Sequence, residues 1–133
     1  MLPFASCGNG DKPFETEMLN AVNDERAKNG LPELTLNTEL CENALVRAEE
    51  ISSEDDISHI RPDGSGCFTV LTVDYSAAGE NLAKGQETPE EAVKNWMDSE
   101  AHRENILSDK FSQAGFACYE NGGTKYWVQL FIG

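Results

Sequence analysis

The 133-residue sequence predicts an α+β domain in which helices pack on a small antiparallel sheet, and three observations carry that prediction. Ahead of residue 108 stand segments whose apolar residues recur at helical spacing, each bounded by capping residues or by Gly and Pro. The C-terminal end instead holds two runs rich in aromatic and β-branched residues. Between those runs stands Asn121-Gly122-Gly123, a hairpin-turn sequence.

Residues 1–13 read as an N-terminal tail, and the domain as residues 14–133. The tail carries Gly and Asn without helical period and no recognisable signal peptide, so it reads as a trimmed start or a mature N-terminus. The first helix is predicted over 14–28. Met18, Leu19, Val22 and Ala27 recur along it, with acids in its first turn and Lys28 in its last. Asn29-Gly30 stops it and Pro32 confirms the break. A second helix starts after Asn37 or Thr38 and runs to 52. Leu40, Ala44, Ala48 and Ile51 form its inner face, with Glu42, Arg47, Glu49 and Glu50 expected to face out. A polar break at 52–56 leads to Pro62-Asp63-Gly64, a strong turn signal. Residues 68–75 fit a short helix or a strand, and their β-branched content favours strand. Residues 79–83 fit a short strand or turn ended by Gly85. Thr88 then caps a third helix, with Pro89 at its first position and Glu91 completing a capping box. That helix is expected to bury Ala92, Val93, Trp96 and Met97, and a further helical turn follows over 101–107. The aromatic residues Trp96, Phe111, Phe116, Tyr126, Trp127 and Phe131 are expected in the core.

The formal charge of −14, from 24 acids against 10 bases, repels phosphate backbones and anionic membranes and disfavours nucleic acid as a partner. It keeps an exported domain soluble and attracts cations and basic partners. No apolar run approaches the roughly 20 residues that cross a bilayer. Cys7, Cys41, Cys67 and Cys118 form no C-x-x-C, which argues against a structural zinc finger. Their even number is compatible with two disulfides, in any of three pairings, and so with an extracellular or cell-envelope location. Cys41, among the apolar positions of a helix, equally fits a buried free thiol. No signal for oligomerisation is present, so a monomer is expected.

Several motifs occur together and in order. They are Asn23-Asp24-Glu25-Arg26 with Gly30-Leu31, then Ser58-His59-Ile60-Arg61-Pro62-Asp63-Gly64, then Gly79-Glu80-Asn81-Leu82-Ala83. Residues 96–107, with Trp96, Ser99, His102, Arg103, Asn105, Ile106 and Leu107, fit the pattern W-x-x-S-x-x-H-R-x-N-I-L, and Tyr126-Trp127-Val128-Gln129-Leu130-Phe131 fits a closing strand. Together they resemble the bacterial-type extracellular CAP domain, of the superfamily of cysteine-rich secretory, antigen 5 and pathogenesis-related proteins, also called SCP-like. The resemblance covers about residues 14–131. It implies an α-β-α sandwich, with a three- or four-stranded antiparallel sheet between helical layers, and a cleft holding two histidines and two glutamates. Position by position, His59 matches the first histidine, Glu80 the glutamate of the G-E-N motif, and His102 the second histidine. The second glutamate of eukaryotic members stands three residues after a tryptophan, where this chain has Ser99. Glu100 follows it as a substitute. Similar proteins bind divalent metal through the histidine pair, which implies His59 and His102 as ligands for Zn2+ or another divalent cation.

The residues themselves support several chemistries. His59 and His102 are the only histidines, 43 positions apart, and two neutral imidazoles leave coordination positions open for water. Glu80 can complete the shell, orient a ring nitrogen, or act as a base, which makes His59, Glu80 and His102 the catalytic candidates. The same three residues can instead form a buried hydrogen-bond network without metal. Ser58 and Ser99 lie close to the histidines, with Asp56, Asp63 or Glu80 as orienters, but no G-x-S-x-G elbow occurs. Asn81 and Asn105 are expected to cap backbone, and Arg103 to pair with an acid or a carbonyl. Residues 68–75 with nearby aromatics offer an alternative lining for an apolar groove. The reading is a secreted binding domain for a protein, peptide or small ligand, with a His/Glu cleft. The alternatives are a metal-dependent or serine-type hydrolase of peptides or cell-envelope material, and an adhesion or host-interaction module that uses the acidic surface.

Overall fold

Helical periodicity resolves into four α-helices and the C-terminal runs into the long strands of a four-stranded sheet, in a computed structural model that describes residues 13–133. Helix α1 (Phe14–Lys28) has Glu15 and Glu17 in its first turn and Arg26 and Lys28 in its last, matching the helix dipole. Helix α2 (Thr38–Glu54) begins where the Asn37 side chain accepts the Leu40 N–H at 2.9 Å. It ends at Asp55 in the left-handed conformation, φ 48°. Helix α3 (Pro89–Met97) is capped by Thr88, whose hydroxyl accepts the Glu91 N–H at 3.1 Å. The Glu91 carboxylate accepts the Glu87 N–H instead of that of Thr88, so the box closes one residue early. Helix α4 (Glu100–Ile106) follows at once. No helix among the described residues is long and apolar enough to cross a membrane.

Strands β1 (Thr35–Leu36), β2 (Ala78–Lys84), β3 (Gln113–Asn121) and β4 (Thr124–Ile132) form one sheet in the order β1-β3-β4-β2. β3 and β4 make the predicted hairpin, with Asn121 opposite Thr124 and Gly122 and Gly123 at φ 60° and 83°. A two-residue turn of this hand needs positive φ at both positions, which glycine supplies without strain. β2 pairs antiparallel with β4. β1, unforeseen in the sequence, adds two residues parallel to β3, so the sheet is mixed at that edge.

Alternation along β4 builds two cores, one on each face. Trp127 and Phe131 point to the layer of α1, α3 and α4, where they meet Met18, Val22, Trp96, Ile106 and Phe116. Val128, Leu130 and Ile132 point to α2 and meet Leu40, Ala44, Ala48 and Ile51. The result is the expected α-β-α sandwich. α2 lies so close on β3 that a Cβ built on Gly115 would sit 2.5 Å from the Leu40 carbonyl carbon.

Several expectations are corrected. Residues 68–75 form neither strand nor α-helix. A 3₁₀ helix covers Cys67–Val70, after which Thr72 is tied through its backbone N–H to the Asn43 side chain and through its hydroxyl to Glu39. Side chains of α2 thus satisfy polar groups that a ladder would otherwise take. Ala27 is exposed, whereas Arg26 is buried and donates to the carbonyls of Pro32, Ile106 and Ser108, locking α1 to the end of α4. Met97 is only half-buried. Arg47, expected to face out, is wholly buried. Two disulfides are ruled out because Cys41 and Cys67 are free thiols. Cys7 lies outside the described residues. Cys118 is buried in β3 and is not among the free thiols. All six aromatic residues assigned to the core are buried there.

Candidate functional site

The site begins with a charge placed inside the sandwich. Glu80 stands in the middle of β2 with its side chain 1% exposed, and burial alone would push its carboxyl above the ordinary range. Hydrogen bonds from His59 and Arg47, with the Arg47 charge, outweigh burial and hold it below that range. Arg47 reaches it from α2, with Nε 2.7 Å from Oε2 and Nη2 3.2 Å from Oε1. Two further guanidinium hydrogens go to Glu50 at 2.9 Å and to the Ser58 carbonyl, so each nitrogen of the buried cation has a partner. Glu50 is shared with Arg61, which joins the loop after α2 to the same network.

That loop delivers His59. Its Nδ1 lies 2.7 Å from Glu80 Oε1, while the ring is 59% exposed. The hydrogen bond to Glu80 raises the pKa of the imidazole, against the opposing pull of burial. Assigning the Nδ1 hydrogen to Glu80 leaves Nε2 as the nitrogen open to solvent. Cys67, at the start of the 3₁₀ helix, also hydrogen-bonds Glu80 through its side chain. Burial first, and then the Glu80 charge, push its thiol up to about 12. One ligand atom from each of His59, Cys67 and Glu80 falls within 4.8 Å of the others.

His102 comes from α4, on the opposite layer. Its ring is half-buried, and burial followed by the His59 charge lowers its pKa, so it is neutral at neutral pH. Its Nδ1 is buried and has no hydrogen-bond partner among the described residues. Asn81 donates to the His102 carbonyl at 3.2 Å, and Asn105 donates to Asn81 Oδ1 at 2.9 Å and to the Glu80 carbonyl at 3.3 Å. Both asparagines therefore hold backbone and one another, as expected, and Arg103 donates to the Met97 carbonyl.

The structure thus joins His59 to Glu80 directly and sets His102 near enough to His59 for their charges to oppose. It does not bring Glu100 in: that side chain is exposed and makes no hydrogen bond or ion pair among the described residues. Ser58 is used locally, its hydroxyl accepting the Ile60 N–H. Among the described residues no serine is hydrogen-bonded to either imidazole, so no serine–histidine pair of a triad is formed there. Sequence reasoning missed Arg47 and Cys67. Arg47 stands three after Ala44 and four before Ile51, which is the spacing of the inner face, so an arginine there signals a buried acidic partner. Cys67 has no such signal, because its separation from His59 and Glu80 fits no ligand spacing.

The donors suit a divalent cation on one count. A buried imidazole nitrogen without a partner is costly unless it meets a water or an ion, and a neutral imidazole is the form that ligates. Two recesses open among the described residues. A polar one of about 240 Å3 is lined by Arg47, Glu50, Ser58, Ile60 and Arg61. A larger apolar one of about 430 Å3, lined by Phe14, Leu36, Cys41, Leu45 and Phe116 among others, includes none of the cleft residues.

Comparisons with known proteins agree with this architecture. The chain is 37% identical over 123 residues to the uncharacterized protein YkwD of Bacillus subtilis (strain 168), covering 90% of this chain and 47% of that protein. It spans less than half the length of the curated relatives it matches. Among solved structures, it is similar to an extracellular protein containing an SCP domain from Bacillus anthracis str. Ames, with a TM-score of 0.82 and 26% identity over 89% of this chain and 39% of that one. It also shares its fold with NaASP2, solved with Zn2+, at a TM-score of 0.69 and 12% identity over 94% of this chain and 83% of that one. The profile of the cysteine-rich secretory protein family, CAP, matches residues 19–131, which take in His59, Glu80, His102 and most of both cores, and the chain belongs to that family.

Proposed function

We propose that the protein is a binding domain acting outside the cytoplasm, as a single domain over residues 14–133, whose cleft takes a divalent cation at His59 and His102. The observation that carries this reading is the buried, unpartnered Nδ1 of His102 close to an imidazole oriented by Glu80. In it, Arg47 keeps Glu80 ionised and fixed, Glu80 holds the His59 ring, and His102 stays neutral. Glu80 is a positioning residue here and Glu100 has no part. When bound, Zn2+ would supply a Lewis-acidic centre with positions left for a ligand's oxygen or nitrogen. The zinc in the NaASP2 structure and the extracellular character of the Bacillus anthracis protein support the reading. So does the acidic surface, which favours approach of cations and basic partners. Calorimetric titration of Zn2+ into metal-stripped protein tests it. Saturable one-to-one binding is expected in the wild type and its loss in the His59→Ala/His102→Ala double variant. No binding, or equal binding in both, would make the histidines structural and direct attention to the acidic surface.

A further inference from the structure

The one free thiol in the cleft has no role in the reading above. Cys67 is 6% exposed, lies against the Glu80 carboxylate, and shares with His59 and Glu80 a space in which one ligand atom of each is within 4.8 Å of the other two. Two contacts in this cluster converge on the Glu80 carboxylate. The His59 Nδ1 hydrogen lies on Glu80 Oε1, and the Cys67 thiol bonds the same carboxylate. Glu80 Oε2 is taken by Arg47 Nε at 2.7 Å, and Oε1, which faces His59, accepts from Arg47 only the longer bond of Nη2 at 3.2 Å. An ion that replaced those hydrogens would meet a thiolate, an imidazole and a carboxylate oxygen, with Arg47 retained behind the carboxylate. His102 is not one of the three.

We propose that Cys67, His59 and Glu80 together form a site for a thiophilic divalent cation of the Zn2+ or Cd2+ class. The inference rests on the reading that the cleft takes a cation at His59, but it gives that ligand Glu80 and Cys67 as partners in place of His102, and the sulfur donor names the kind of ion. The two negative donors, thiolate and carboxylate, balance the ion's charge, and one sulfur with one imidazole disfavours Mg2+, Ca2+ and Mn2+, which prefer oxygen. On binding, the Cys67 S–H bond breaks, an Sγ–metal bond forms, and that proton passes to solvent, while His59 gives up its Nδ1 hydrogen and is left as the neutral ring with its hydrogen on Nε2. Three protein donors leave at least one position for water or a ligand group.

The test is the optical spectrum of Co2+ bound to the metal-stripped protein, in a Cys41→Ser background so that Cys67 is the only free thiol of the described cleft and core. A sulfur-to-cobalt charge-transfer band in the near ultraviolet is expected, displaced by Zn2+ but not by a large excess of Mg2+. Cys67→Ser and Cys67→Ala, each checked for a cooperative thermal transition, should lose the band and weaken Zn2+ by more than about tenfold, since even outer-shell changes cost 10–100-fold. His102→Ala should keep the band. Co2+ bound without it would overturn the inference while leaving the histidine-pair reading standing, and no Co2+ binding at all would overturn both. If neither cysteine variant folds, the spectrum of the Cys41→Ser protein alone decides the matter, since absence of the band excludes the thiolate.

Discussion

Replacing Glu80 by Gln tests the buried pair on which the cleft is built. Glu80→Gln keeps the shape of the side chain but leaves Arg47, whose side chain is 0% exposed, without its carboxylate. Removing one partner of a buried ion pair costs about 3–5 kcal/mol. The lower end, about 3 kcal/mol, is expected because Arg47 keeps Glu50 at 2.9 Å and the Ser58 carbonyl. With a urea m-value of about 2 kcal/mol/M, the unfolding midpoint should fall by about 1.5 M. Arg47→Met should cost at least as much, since it strands a carboxylate that is 1% exposed. The double variant Arg47→Met/Glu80→Gln removes both charges. It should be more stable than the sum of the single changes predicts by about 2 kcal/mol, as contacting groups couple. A midpoint shift below about 0.3 M for Glu80→Gln, or singles that add in the double variant, would refute the argument that this pair carries a desolvated charge.

Two further outcomes follow from the same geometry. In metal-free protein, His59, raised by Glu80, contributes stability that is complete below its unfolded pKa and lost as pH rises through its folded one. Glu80, lowered by its partners, contributes stability present above its unfolded pKa and lost as pH falls through its folded one. Urea midpoints against pH should therefore peak between those ranges, and His59→Ala should remove the alkaline-side decline near neutrality. An unchanged decline would show that His59 is not coupled to folding. Separately, Gly115→Ala places a Cβ 2.5 Å from the Leu40 carbonyl carbon and 2.6 Å from the Cys41 nitrogen, so α2 must lift from β3. A loss of about 3 kcal/mol or more is expected in thermal unfolding, and a change under about 1 kcal/mol would show that α2 is free to move.

The fold was legible where local chemistry dictates geometry. Thr88 with Pro89 and Gly122-Gly123 specify a cap and a turn from the residues alone, and the structure places both as read, although Glu91 reaches Glu87 rather than Thr88. The start of the second helix after Asn37 or Thr38 resolves to Asn37 as the cap. The same holds for the alternation of Trp127 and Phe131 with Val128 and Leu130 that divides the two cores. Residues whose state is set by distant partners were not legible. Arg26 and Arg47 look like solvent-facing charges until three carbonyls collect around one and Glu80 and Glu50 around the other. β-branched content suggested a strand at 68–75, but Asn43 and Glu39 of α2 hold Thr72 by side-chain hydrogen bonds, and tertiary contact overrides propensity. In the cleft, His59, Glu80 and His102 could be named from motifs. What Glu80 does could not be, because its role depends on Arg47, 33 positions away.

The position of Glu80 also explains why the cleft sits where it does. β2 is an edge strand, and an unpaired edge must be covered. Asn105 of α4 donates to the Glu80 carbonyl and Trp96 of α3 donates to that of Leu82 at 3.0 Å, so side chains of one helical layer close the edge. The Glu80 side chain meets the other layer, through Arg47 of α2. One residue is therefore gripped from both sides of the sheet, and His59 and His102, carried by opposite layers, approach each other only at this edge. The cleft cannot form before the sandwich does, which makes Arg47 a determinant of both stability and site geometry. On the proposed reading, cation affinity cannot come from bulk charge. Although the chain carries −14 overall, Glu80 is offset at once by Arg47, and Glu50 by Arg47 and Arg61. The long-range field raises the local concentration of cations, but it is screened within about 8–10 Å at physiological salt. Selection among ions must then rest on the donor atoms themselves, so raising ionic strength should slow capture of an ion far more than it changes which ion is held.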